Sequence, residues 1–270
     1  MARTAAKIRC IALTALQETM RRRVFYVVVI LVVIVAAVMV GSMGFLRMAR
    51  ESGEKEIVST ITAGYVQNFL GIWQAATMFL AVFLGAVGIS SEVTAKTLVN
   101  ILSRPVDRAA YLTGRWLGTV IFLWAFQILG MLLALLLTRV FDVHFVSSLW
   151  FGFVNMFVDS LFLSGVSLGL SVVMPPILAG GFSIFLQILP GIAKNSTQHP
   201  RWILRGLANA AYYLSPATMP VDLIEESFTK ELLHPNYGLY SRVLAENMLY
   251  AIAVFVLACA VFARREVRFR

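Results

Sequence analysis

The sequence predicts an all-α, polytopic membrane protein, and three observations carry that prediction. Hydrophobic residues make up 59% of the 270-residue chain and charged residues only 14%, against roughly 45–50% and about 25% in soluble domains. Six apolar runs approach or exceed the length of about 20 residues that a helix needs to cross the hydrocarbon core. The basic residues are unevenly divided between the two sides that those runs define. No polar stretch exceeds about 50 residues, the lower end of domain size. The chain therefore reads as a single transmembrane domain over 1–270 with no separate soluble part.

The first element precedes the spans. In residues 1–23, Ile8, Ile11, Ala12, Ala15 and Leu16 recur at helical spacing, while Lys7, Thr14, Gln17 and Glu18 lie largely elsewhere. This pattern predicts an amphipathic helix lying in the membrane interface. It either anchors the chain or also touches a cytoplasmic partner.

The spans follow in order. Arg21, Arg22 and Arg23 precede the first, Val24–Gly44, which is too long for a signal-peptide core and ends without a small-residue cleavage site. The second is Phe69–Ile89, the third Trp116–Leu137 and the fourth Leu149–Met174. The fifth, Ile177–Ile192, is short and follows Pro175-Pro176. Proline lacks the N–H of a continuous helix, so this pair forces a tight turn. The sixth is Leu244–Phe262.

Lysine and arginine set the orientation. With the N-terminus inside, the inner side holds Arg3, Lys7, Arg9, Arg21–Arg23, Lys96, Arg104, Arg108, Arg115, Arg264, Arg265, Arg268 and Arg270, the majority of the 23 basic residues. Inner acids are few: Glu18, Glu92, Asp107 and Glu266. The outer acids match the outer bases in number, so the whole +9 balance falls on the inner face. Both termini are expected in the cytoplasm, with the chain in the cell (inner or plasma) membrane. The basic balance points to an anionic lipid leaflet and not to nucleic acid.

The inner loop 90–115 is too long for a simple connector, which needs about 2–8 residues. Leu98, Ile101 and Leu102 fall at i, i+3 and i+4, one face of a short helix. Pro105 ends that helix, and a second begins near Asp107. A short helix carrying charges and an apolar stripe is suited to docking in the cytoplasm.

From Glu92 the sequence runs E-x-x-x-K-T-L-x-x-I-L-S-R-P-V-x-R-x-x-Y-L-x-G-R-x-L-G to Gly118. This run resembles the cytoplasmic loop of permease subunits of type-2 ABC (ATP-binding cassette) transporters. Two positions depart from the common pattern: Lys96 stands where many members have Gly, and Arg115 replaces the usual Lys. Tyr212-Tyr213-Leu214-Ser215-Pro216 resembles the family's Tyr-Leu-Leu-Pro segment more weakly. The resemblance implies that the loop is a coupling helix seated on a separate ATP-binding cassette ATPase. Glu92, Lys96, Arg104 and Arg108 would supply polar contacts to it, and Leu98, Ile101 and Leu102 apolar anchors. It also implies a second permease copy, identical or similar, and an ATP-driven exporter whose ATP and Mg are held by the partner.

The residues agree that any engine lies elsewhere. A P-loop needs Gly-Lys to hold phosphates, and the chain has no Gly-Lys pair. No cofactor is expected in this chain. The rival class is a membrane-embedded enzyme or scaffold without transport activity. Gly165-Val166-Ser167-Leu168-Gly169 matches G-x-S-x-G in letters, but that motif requires a strand–turn–helix elbow and a nearby base. His144, His199 and His234 all lie in outer loops. Gly165 and Gly169, like Gly114 and Gly118, read as small pairs for close helix packing. The two cysteines, Cys10 and Cys259, and three histidines have no metal-type spacing.

Polar groups within the spans form the remaining candidates. Asp159 is an ionisable group at membrane depth, with Asn155 one turn earlier, and Gln74 and Gln127 lie in the second and third spans. They line a translocation path or a seam between helices. The outer region 193–243 holds Trp202, Leu207, Tyr212, Tyr213 and Met219, too apolar for a flexible linker. It is expected to cap the bundle, to gate exit or to meet a periplasmic partner. The substrate is not specified; the nearly apolar spans favour lipid-like cargo.

Overall fold

The structure is a computed structural model of the 270-residue chain. It describes residues 2–21, 55–94, 107–140, 148–196 and 236–264, with isolated positions between 26 and 41 and at 209. The described residues form six helices: α1 (Ala2–Arg21), α2 (Lys55–Thr94), α3 (Arg108–Val140), α4 (Ser148–Val173), α5 (Pro176–Ser196) and α6 (Tyr237–Arg264). Among the described residues, four stretches are long and apolar enough to cross a membrane: Ala63–Gly88, Arg108–Arg139, Leu149–Val173 and Tyr237–Arg264. They overlap the stretches expected as the second, third, fourth and sixth spans. The expected first span, 24–44, lies mostly outside the described residues. Its described positions are helical, and Val32 and Val35 pack against the cluster around Trp73.

The helices are longer than the apolar runs that announce them. At about 1.5 Å per residue, the 40 residues of α2 and the 33 of α3 exceed a core of about 30 Å. Their ends therefore project beyond it. The α4–α5 junction follows the two prolines closely. Val173 closes α4, and Pro176 opens α5 at a first-turn position where its missing N–H costs nothing. Across the turn, Met174 N–H still donates to the Leu170 carbonyl at 2.8 Å, and Ala179 N–H to that of Pro175 at 3.0 Å. α5 carries a shorter apolar stretch, Pro176–Leu189.

α4 is the hub of the bundle. It packs against α2, α3, α5 and α6, while α1 lies along α3. Three apolar clusters fill the interior from the α1 end to the far end. The first joins Leu112, Trp116, Leu168 and Phe255, with Trp116 stacked on Phe255 at 4.0 Å. The middle one joins Leu80, Leu123, Leu163 and Ala251. The far one joins Phe69, Trp73, Leu149 and Phe153, with Trp73 stacked on Phe126 at 4.5 Å.

Glycines let these helices approach closely. A Cβ at Gly85 of α2 would lie 2.8 Å from the Ser164 carbonyl of α4, and one at Gly130 of α3 would collide with the Trp73 indole. The Gly165/Gly169 pair faces two neighbours: Gly165 meets Trp116 of α3, and Gly169 meets Ala258 of α6. Without water to bind them, the interior hydroxyls bond to helix carbonyls. Ser164, Ser171 and Ser183 donate to Leu161, Leu168 and Ala179.

Candidate functional site

Two polar sites stand out from this apolar interior. The first lies at the α1 end, where α2 runs out into the loop and α3 begins. α3 starts at Arg108, just after the Pro105 that ends the expected short helix, and Tyr111 N–H donates to the Asp107 carbonyl at 3.0 Å. The α2 backbone continues helical to Thr94, which includes Glu92. Of the expected coupling residues, Lys96, Leu98, Ile101, Leu102 and Arg104 lie outside the described residues, as does the Glu92 side chain. Arg108 is half-buried at the first turn of α3.

The face of α3 next to these positions is covered by α1. Ala12, Ala15 and Thr19 of α1 are buried there. A Cβ at Gly118 would sit 2.6 Å from the Ala12 carbonyl oxygen, and one at Gly114 would sit 2.8 Å from Ile11 Cβ. Sequence reasoning placed Gly114 and Gly118 in close packing and α1 on the membrane surface, without joining the two. Arg115 lies between the glycines, and its side chain is 9% exposed. Its Nη1 donates to Glu18 Oε2 of α1 at 3.2 Å.

The second site is deeper. Asp159, near the middle of α4, is 9% exposed. Asn155 Nδ2, one helical turn earlier, donates to Asp159 Oδ2 at 3.0 Å, and Gln74 Nε2 of α2 reaches the same oxygen at 3.5 Å. Gln187 of α5 stands close to this carboxyl. Three helices thus meet on one carboxylate through neutral amides. Such a group at membrane depth is costly and needs partners inside the bundle; here the carboxylate is met by side-chain amides.

Gln127 does not join this cluster. Its Nε2 donates to the Met156 carbonyl at 2.7 Å, and its Oε1 accepts from Ser160 Oγ at 3.5 Å. It ties α3 to the backbone of α4 instead. Gln187 is the residue that sequence reasoning missed. Its signal was available: it is the one carboxamide in Ile177–Ile192. Arg139, near the end of α3, is exposed, whereas Asp159 is buried.

Ser167 is fully buried on α4, and its hydroxyl donates to the Val82 carbonyl at 2.7 Å. It sits in a continuous helix and serves the α2–α4 contact. This is a packing role, with no nucleophile elbow around it.

Among curated proteins, no match to this chain was found. A family model described as ABC-2 family transporter protein matches residues 10–267. That match covers nearly the whole chain, from α1 through the loop and the polar cluster to the last helix. The chain belongs to the ABC-2 transporter family, as a multi-pass membrane component of transport and not itself a catalyst.

Proposed function

We propose that this chain is the membrane-spanning permease subunit of an ATP-driven exporter. It works over two separate ATPase subunits that hold ATP and Mg, and it couples to them through loop 90–115. The observation that carries this reading is the family match over 10–267, which contains that loop between two long apolar helices. A chain without a Gly-Lys pair needs another polypeptide to bind nucleotide through a P-loop. Glu92, Lys96, Arg104 and Arg108 make the polar contacts, and Leu98, Ile101 and Leu102 fill the apolar part of the groove.

A second permease copy, identical or similar, completes the transporter. The exposed face of α2 supports this part of the reading. Gly64 and Gly71 have open space beside them, and Asn68 is exposed between them. Small and polar residues on a membrane helix favour contact with another helix over contact with lipid. The Asp159 cluster then lies on the translocation path, at the seam where α2, α4 and α5 separate. Both termini face the cytoplasm, and the outer region 193–243, which apart from its helical ends and position 209 lies outside the described residues, gates exit or receives a periplasmic partner.

The test is purification of the tagged full-length chain from its native membrane. A P-loop ATPase should be retained, and Glu92→Lys or Arg104→Glu should reduce its ATP-dependent transport. A chain that retains no ATPase and whose function survives both substitutions is an enzyme or scaffold, not a permease.

A further inference from the structure

Arg115 and Glu18 occupy a position that the coupling reading does not use. Arg115 belongs to the first two turns of α3, one stem of the loop. A Cβ at Gly88, a buried position of α2 close to the other stem, would lie 3.4 Å from Arg115 Nε. The same side chain is paired at 3.2 Å with Glu18 near the end of α1. Both loop stems and α1 therefore meet at one buried guanidinium.

The surroundings leave this junction no slack. At Gly114 and Gly118 the α1 and α3 backbones approach with no side chain between them on the α3 side. A helix in such contact does not slide by fractions of a turn, because packed surfaces shift between discrete arrangements. The ion pair then fixes which arrangement is kept. Arg115 is largely removed from water, and separating its charge from Glu18 is unfavourable.

We infer that Glu18 and Arg115 are positioning residues that tie α1 and the two stems of loop 90–115 into one lever. A push on the loop turns α1 together with the feet of α2 and α3, and so reaches the bundle as a single displacement. Without the tie, the loop moves against α1 and the displacement is lost locally. This inference rests on the coupling role proposed for the loop.

The test uses the full chain with its retained ATPase in proteoliposomes and counts molecules transported per ATP hydrolysed. Glu18→Lys should lower that ratio by about tenfold, equivalent to about 1.4 kcal/mol, while the ATPase stays bound. The exchanged pair Glu18→Arg with Arg115→Glu should recover most of the ratio, an outcome a general loss of packing does not give. Glu18→Gln keeps shape and removes charge; it should lower the ratio by less than the lysine variant's tenfold, and it carries the test by itself if the lysine variant does not assemble. The lever is overturned if Glu18→Gln and Glu18→Lys transport as wild type does, or if the exchanged pair is no better than Glu18→Lys. Failure of the wild-type chain to retain an ATPase would instead overturn the coupling reading, so the two failures are distinguishable.

Discussion

The two polar sites handle a buried charge in opposite ways. At the α1 end, Arg115 meets a carboxylate of opposite sign, beside two glycine contacts that bring the backbones together. At mid-depth, Asp159 is met by the amides of Gln74, Asn155 and Gln187. An ion pair with close packing on either side has one good arrangement. A carboxylate among amides has several, because each neutral donor can be exchanged for another or for water at modest cost. The first site is suited to transmitting a displacement, and the second to letting helices part.

The comparison is broken most severely at the glycines. Gly118→Val places a branched side chain where one Cβ already lies 2.6 Å from the Ala12 carbonyl. Overpacking costs about 1–3 kcal/mol or more, and here the obstruction is backbone. A large fall in the thermal midpoint of the purified chain is expected, with α1 exposed to protease; an unchanged midpoint would mean that α1 is not seated on α3.

Asp159 comes next. Asp159→Leu leaves the amides of Gln74 and Asn155 without their acceptor and should cost about 1–3 kcal/mol, read as a lowered thermal midpoint. Asp159→Asn keeps an acceptor oxygen and should leave assembly intact while abolishing transport. Loss of folding in Asp159→Asn, with no separable transport defect, would make the cluster a structural seam only.

A smaller effect is expected at the edge of the cluster. Gln74→Leu removes a long, 3.5 Å bond, and polar contacts between membrane helices average about 0.6 kcal/mol. The control is the exposed pair Arg242–Glu246, whose side chains are 77% and 47% exposed. Replacing both with alanine should change stability by less than about 0.5 kcal/mol.

How much of this was legible in the sequence follows from what each signal measures. The fourth span was expected at 149–174 and α4 runs Ser148–Val173, because Pro175-Pro176 marks a helix end and not merely a change in polarity. Where only apolarity guided the reading, the helices proved longer. The third span was expected from Trp116, but α3 begins at Arg108, and Arg108–Arg115 is charged yet helical. The sixth was expected from Leu244, and α6 begins at Tyr237, where Tyr237 stacks on Phe151 at 5.3 Å. Apolarity reports depth in the bilayer, while hydrogen bonding continues beyond it.

The candidate site divides along the same line. Asn155 and Asp159 are i and i+4 on one helix, so their bond could be read from spacing. Gln74 and Gln187 join them only through the packing of α2 and α5 on α4, which no local pattern encodes. Gln127 was grouped with Asp159 as a polar side chain at depth. Its partner is instead a backbone carbonyl, and every residue of α4 offers one.

The most direct test of the coupling role is contact at the loop itself. A photo-reactive amino acid placed at Ile101, in the full chain in its native membrane, should form a covalent adduct with a P-loop ATPase upon illumination. Nucleotide should alter the yield. Adducts with lipid alone, or labelling of that position from the outer side of the membrane, would contradict the account.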